Sequence, residues 1–269
     1  MNIPILCAAV LLAATDIWLY MRVRNRLPKQ RRAGFCAAAV LVLLMLLGAA
    51  YFADDYRAGP GAAAALRSDD AVTVERLEHA WRFDGPGGDA ALIFYPGAKV
   101  EAAAYAPLLH TLAAGGTDAF LLEMPLQFAL LDISAAERIM GRYDYGRFVL
   151  AGHSLGGVAA AAFAGHQPDR VSDLVFLASY PAAPLPAGLR VLSIYGDKDT
   201  VLNREKYAES RVYFPAETEE IVLAGGNHAH FGDYGPQRGD GEALIPADEQ
   251  QRATAGAILR WIEKTKTGP

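Results

Sequence analysis

The sequence predicts an α/β domain, a mostly parallel sheet covered by helices on both sides, preceded by a transmembrane helical hairpin. Three observations predict it. From Val72 onward, apolar runs of strand length alternate with runs of helix length, the pattern of a parallel sheet buried on both faces. Within that region the strand pattern Phe148 to Ala151 turns through Gly152, His153, Ser154, Leu155, Gly156 and Gly157 into a helix of small residues, Val158 to Ala164. Ahead of it, two long apolar stretches flank a basic loop.

In chain order, the membrane anchor is expected over residues 1–52. Residues 34–52 are all uncharged, enough to cross the hydrocarbon core as a helix. Residues 3–20 form the other span, although Pro4 and Asp16 fall inside it. A carboxylate at a helix centre costs roughly 2.5–3.5 kcal/mol on insertion scales and less near an end. The loop 21–33 carries Arg22, Arg24, Arg26, Lys29, Arg31 and Arg32, whereas Asp54 and Asp55 follow the second span. The positive-inside rule then makes the loop cytoplasmic and puts everything after Phe52 on the extracytoplasmic side of the cell membrane. Translation from Met21 would leave a signal-anchor with the same orientation, and a cleaved signal peptide fits less well because the apolar run exceeds a usual h-region. A third reading makes the hairpin an interaction element, with Asp16 paired to a partner helix.

Cys7 and Cys36 fall in the two spans, at opposite ends of antiparallel helices, and cannot bridge. Residues after Phe52 contain no cysteine, which excludes a disulfide framework, a thiol nucleophile and a thiolate metal site there. The net charge of −5 gives no nucleic-acid footprint.

Residues 53–71 read as a tether with one short helix near Ala62 to Leu66, and residues 72–269 as the α/β domain. Val72 to Leu77 and His79 to Phe83 form two strands of a meander, closed by the turn cluster Asp84 to Gly88. Ala91 to Tyr95 is a buried strand stopped by Pro96 and Gly97, and a helix follows with Tyr105, Leu108, Leu109 and Leu112 on one face. Further strands are expected at Ala119 to Leu122, Asp173 to Ala178, Arg190 to Tyr195 and Glu220 to Leu223, with helices near Ile133 to Met140 and Asp248 to Lys264. The last helix puts Ala255, Ile258, Leu259 and Ile262 on one face.

The G-x-S-x-G pattern between strand and helix is that of a nucleophile elbow, in which the serine sits in a strained turn with its hydroxyl lifted clear of the sheet. A serine hydroxyl needs a base, and the base needs a carboxylate to orient it. The strand ending at Tyr195 is followed by Gly196, Asp197, Lys198 and Asp199, and the strand ending at Leu223 by Gly225, Gly226, Asn227 and His228. Ser154 is thus the candidate nucleophile, His228 the general base and then acid, and Asp199 the orienting group, with Asp197 as the other candidate acid.

On these residues the chain resembles the α/β-hydrolase superfamily, in particular its small, lidless, membrane-anchored bacterial members. The matching pieces are LIFYPGA (Leu92 to Ala98), GHSLGG (Gly152 to Gly157), YGDKD (Tyr195 to Asp199) and GGNHAHFGDYG (Gly225 to Gly235). The resemblance implies that the acid is the last aspartate of a G-x-x-D turn, here Asp199. It also implies an oxyanion hole from the amide after the first of these strands, Ala98, together with that of Leu155. The implied function is a carboxylesterase-type serine hydrolase on small or medium acyl esters, needing no cofactor. The same triad also serves acyltransferases and peptidases, and a catalytically silent surface binding module would keep the fold without the chemistry.

No metal is expected: His153, His230 and Asp233 lie close in sequence to these elements without the spacing of a ligand set. Lys99 and Glu101 read as solvated residues at a helix start, with a substrate contact from Lys99 as the other reading. The stretch from Ala178 to Arg190 is too short for a lid domain, so an open pocket walled by Leu126, Phe128, Tyr180 and Phe231 is expected. The partners expected are a small-molecule ester and the lipid bilayer.

Overall fold

The computed structural model describes Thr15, Trp18, Arg22 and residues 29–53 and 55–264. The chain divides into two compact units, residues 1–55 and 56–269. The first contains helix α1 (Lys29–Ala53), on which Val40, Leu41, Leu44 and Met45 are exposed. Among the described residues no helix is long and apolar enough to cross a membrane. The expected span over 3–20 lies outside the described residues apart from Thr15 and Trp18. The transmembrane hairpin is therefore not shown by the structure.

The second unit is built on an eight-stranded sheet in the order β1-β2-β4-β3-β5-β6-β7-β8. The strands are β1 (Thr73–Leu77), β2 (Ala80–Asp84), β3 (Ala90–Tyr95), β4 (Asp118–Leu122), β5 (Arg147–His153), β6 (Asp173–Leu177), β7 (Arg190–Gly196) and β8 (Thr218–Leu223). β1 pairs antiparallel with β2, and β2 antiparallel with β4; every other pairing is parallel. The expected mostly parallel sheet is present.

Alternation along each strand decides which helices cover which face. On β3, Leu92 and Phe94 face one layer with Leu108, Leu109 and Leu112 of α3 (Ala106–Ala114) and Ile258, Trp261 and Ile262 of α7 (Ala247–Lys264). Ala91, Ile93 and Tyr95 face the other, with Ile139 and Met140 of α4 (Ala135–Met140) and Ala159, Ala160, Phe163 and Ala164 of α5 (Leu155–His166). α5 carries mostly alanines and glycines because it crosses close over the sheet centre, where larger side chains would hold it away.

One charge is fully buried at the amino ends of the strands. The Asp173 carboxylate, inaccessible to solvent, accepts from Arg190 Nη1 at 2.9 Å and from Trp261 Nε1 at 3.1 Å, tying β6 and β7 to α7. A buried carboxylate persists only when so paired.

Residues 56–71 differ from the expected tether: they belong to the second unit and pack on it. Tyr56 N–H donates to Lys99 O at 2.6 Å, and Glu101 N–H donates to Tyr56 O at 2.9 Å. Ala62, in the short helix α2 (Pro60–Ala65), is buried, and its amide donates to Asp233 Oδ2 at 2.9 Å. Gly, Pro and Ala composition reads as loop, but it does not show that these amides find acceptors in later segments. Helix α6 (Arg204–Glu209), capped by the Asn203 side chain accepting from Lys206 N–H, was not expected from the sequence.

Candidate active site

The site forms where the parallel strands end. In register, Tyr95 pairs with Gly152 and His153 with Leu177, so the segments after β3, β5 and β6 emerge side by side. β5 runs directly into Ser154, and α5 starts at the next residue. The chain reverses in that single residue, and Ser154 adopts φ 51° and ψ −123°. A left-handed conformation costs a non-glycine residue about 1–3 kcal/mol and persists only where the surroundings over-determine it. Here the Ser154 amide donates to Leu177 O at 2.9 Å, and its carbonyl accepts from the Ser179 hydroxyl at 2.6 Å.

The flanking glycines are required by close approach. A Cβ on Gly152 would lie 2.4 Å from the Gly156 carbonyl carbon, and one on Gly156 would lie 2.2 Å from Tyr95 O. Neither has positive φ, so the constraint is space rather than backbone freedom.

Asp199 and His228 are brought together. Asp199 Oδ1 accepts from the amides of Val201 and Leu202 at 2.9 and 2.8 Å, and its Oδ2 lies 2.9 Å from His228 Nδ1. Both side chains are buried. A carboxylate only accepts, so Nδ1 carries the imidazole proton and Nε2 presents a lone pair. That Nε2 is buried without a hydrogen-bond partner, and Ser154 and His228 line one pocket of about 200 Å³. An open proton acceptor thus shares a pocket with the serine hydroxyl. Asp197, in the same turn, accepts instead from Gly225 N–H at 2.7 Å and pairs with Lys198.

The loop carrying His228 is pinned by groups the sequence reading did not single out. Gln250 Oε1 accepts from Asn227 N–H at 3.0 Å, and Gln250 Nε2 donates to Asn227 O at 2.8 Å. Asn227 Nδ2 donates to Gly241 O at 2.8 Å, and Ala229 N–H donates to Asp240 Oδ2 at 2.8 Å. The available signal was Gln250 and Thr254, polar residues one helical turn apart on the buried face of α7.

Leu155 N–H is the first amide of α5 and has no acceptor within the helix. Ala98 N–H follows β3 across Pro96 and Gly97. Among the described residues neither amide donates to another backbone group. The Ala98 loop is held by Lys99, at φ 63°, whose N–H donates to Gln127 O at 2.8 Å, and by Val100 N–H donating to Gly97 O at 3.3 Å.

Behind Ser154, His153 is fully enclosed. Gly97 N–H donates to Tyr105 Oη at 3.1 Å, and Tyr105 Oη lies 2.7 Å from His153 Nδ1. With the phenol oxygen accepting from Gly97, its own proton goes to Nδ1, and neutral His153 keeps its proton on Nε2. Burial, reinforced by the neighbouring His228, holds the His153 imidazole well below its ordinary value of 6.5. Burial likewise pushes the Tyr105 hydroxyl up, so it stays protonated as a donor.

Of the expected pocket walls, only Tyr180 lines the pocket, with Val158, Ser179, Val201, Leu202 and Asn203. Leu126 stands 63% exposed on a separate turn, Phe128 is not among the lining residues, and Phe231 is fully buried against the His153 ring. Glu101 is engaged by Ala58 N–H at 2.9 Å. Asp233 caps α2, His230 Nδ1 meets Ile245 O at 3.2 Å, and among the described residues no cluster of His, Cys, Asp and Glu is arranged to hold a metal.

The sheet order, with a strand running through one residue into a helix at its centre, is that of the α/β-hydrolase fold. The profile of the alpha/beta hydrolase family matches residues 91–252, more than half of the chain, and the protein belongs to that family and is a hydrolase enzyme. Solved structures agree on the fold. The mouse alpha/beta hydrolase domain-containing protein 10 is 13% identical, with 72% of this chain and 99% of that chain covered at a TM-score of 0.55. A serine hydrolase involved in carbazole degradation is 12% identical over 72% and 99%, with a TM-score of 0.54. A membrane phospholipase A, described as a bacterial virulence factor, is 14% identical over 88% and 100%, with a TM-score of 0.55. None of the curated proteins matches the chain.

The neutral, buried His153 carries a pH signature. Its depressed native value means that the unfolded chain binds more protons below pH 6.5, so this stability is present above 6.5 and lost as pH falls. Urea unfolding should show stability declining from pH 7 to pH 5 by at most about 1.4 kcal/mol per pH unit from this group. The decline should be shallower in His153→Asn; equal slopes in the two proteins would show that His153 protonates freely.

Proposed function

We propose that the protein is a carboxylesterase-type serine hydrolase acting on small or medium acyl esters, held at the membrane by its N-terminal helices. What carries the reading is the strained Ser154 elbow in one pocket with His228, whose Nδ1 is held by Asp199 and whose Nε2 is open. Ser154 Oγ attacks the acyl carbon while its proton passes to His228 Nε2. The tetrahedral oxyanion is met by the amides of Ala98 and Leu155, donors of a kind that contribute roughly 3–4 kcal/mol in the transition state. Collapse breaks the ester bond, and His228 returns the proton to the departing alkoxide, leaving an acyl-enzyme and an alcohol. Water, deprotonated by His228, then attacks the acyl carbon, and the released Ser154 oxygen recovers the proton as the acid departs.

Pocket size supports the substrate class. The space beside Ser154 is about 200 Å³, and its wall residue Val158 also lines an apolar groove of about 290 Å³ between Ala161, Ala162 and Gly165 of α5 and the stretch Ala182 to Leu185. Membrane attachment is supported by the uncharged run 34–52 and the basic residues before it.

With p-nitrophenyl esters from acetate to palmitate, kcat/KM should peak at short or medium chains and be at least about 10-fold lower for palmitate. Asp199→Asn should lower kcat about 10³-fold, by analogy with other triads. A preference for palmitate would contradict the acyl class, and loss of activity in Asp197→Asn but not in Asp199→Asn would contradict the assigned acid.

For the anchor, the full chain should stay in the membrane fraction through an alkaline carbonate wash, and protease added to intact spheroplasts should degrade its hydrolase domain. Release by carbonate would contradict anchoring. Protection from protease until lysis would reverse the orientation.

A further inference from the structure

Three segments that must keep fixed mutual positions meet at one buried side chain. His153 directly precedes Ser154, so its backbone belongs to the elbow. Its Nδ1 is bound to Tyr105 Oη, which in turn takes the Gly97 N–H, one residue before Ala98. Its ring lies 4.5 Å from that of His228 and 5.6 Å from that of Phe231, both on the base loop. The fit leaves no slack: a Cβ on Gly97 would come within 2.8 Å of both His153 Nδ1 and Tyr105 Oη. A residue needed only to fill the core would have no use for this chain of buried polar atoms, because an apolar side chain of the same shape avoids the cost of burying an imidazole.

We propose that Tyr105 and His153 are positioning residues that fix the Ala98 amide and the His228 ring relative to the Ser154 elbow. The inference rests on the hydrolase reading above. The Gly97–Tyr105–His153 chain sets the distance between the β3 loop and the elbow, and hence between the Ala98 and Leu155 amides. The His153 face sets the tilt of His228 over the serine. Neither residue lines the pocket at Ser154. Their effect falls on the transition state, where the oxyanion exists, rather than on ground-state binding.

The test is steady-state hydrolysis of p-nitrophenyl butyrate by the full-length protein, its Tyr105→Phe variant, and the pair His153→Asn and His153→Leu, with thermal unfolding measured in parallel. Removing the hydroxyl should lower kcat about 30-fold while KM stays within about 3-fold, the split expected when transition-state contacts alone are misplaced by a fraction of an ångström. In His153→Asn the amide oxygen can accept the Tyr105 proton in place of Nδ1 but no ring faces His228, so kcat should fall about 5-fold, whereas His153→Leu, which lacks both contacts, should lose at least as much as Tyr105→Phe. Should Tyr105→Phe fail to fold, the Asn and Leu pair decides alone. Folded variants with parental kcat, or Asn and Leu variants equally impaired, would overturn the positioning role while leaving the hydrolase reading standing. A wild-type protein that hydrolyses none of the esters would overturn both.

Discussion

The left-handed backbone at Ser154 is the constraint to which the surrounding structure is fitted. A turn that takes β5 into α5 through one residue brings helix and strand so close that no side-chain carbon fits at Gly152 or Gly156. It also leaves the first amide of the helix, Leu155, with no acceptor of its own. The strain is held by Leu177 and Ser179 at the end of β6, where Ala178 is itself left-handed at φ 48°. Strain held in this way lifts the serine side chain out of the packed layers and into a pocket.

The parallel sheet explains why the residues gathered around Ser154 come from distant parts of the sequence. Parallel register aligns the carboxyl ends of β3, β5, β6, β7 and β8, and each delivers its loop to the same edge of the domain. Loops alone would not hold an imidazole to a fraction of an ångström. The polar side chains Gln250, Asn227 and Asp240 do so by closing the backbone bonds that the His228 loop would otherwise leave open. Helix α7 therefore serves both the core and the site: Ile258 and Trp261 build the core, and Gln250 in its first turn fastens the His228 loop.

Much of this was legible in the chain because the informative signals are local. The elbow needs glycines at fixed offsets, the strands need short apolar runs, and the acid and base follow strands in a fixed order. The residues alone leave Asp197 beside Asp199 and only the resemblance to a G-x-x-D turn favours Asp199, since both belong to one turn; the folded turn sends one carboxylate to Gly225 and the other to His228. The pocket walls were misread for the same reason. Phe231 follows His228 closely but turns inward behind His153, whereas Leu126 sits at a left-handed kink that points it to solvent. Tyr105 was correctly read as a core residue, yet the target of its hydroxyl lies 48 positions away and no periodicity reveals it. Residues 56–71 looked like a tether because their composition is that of a loop, and the Asp233 carboxylate that binds Ala62 comes from the far end of the domain.

The central claim is that Ser154 is activated by the folded site and is not merely a hydroxyl in a tight turn. Its most direct test is covalent: a fluorophosphonate probe reacted with the native full-length protein, followed by peptide mass spectrometry. The geometry predicts a single adduct on Ser154, formed in seconds to minutes, blocked by prior heat unfolding and absent in His228→Ala. A folded protein that takes no label, or labels at another serine, would contradict it.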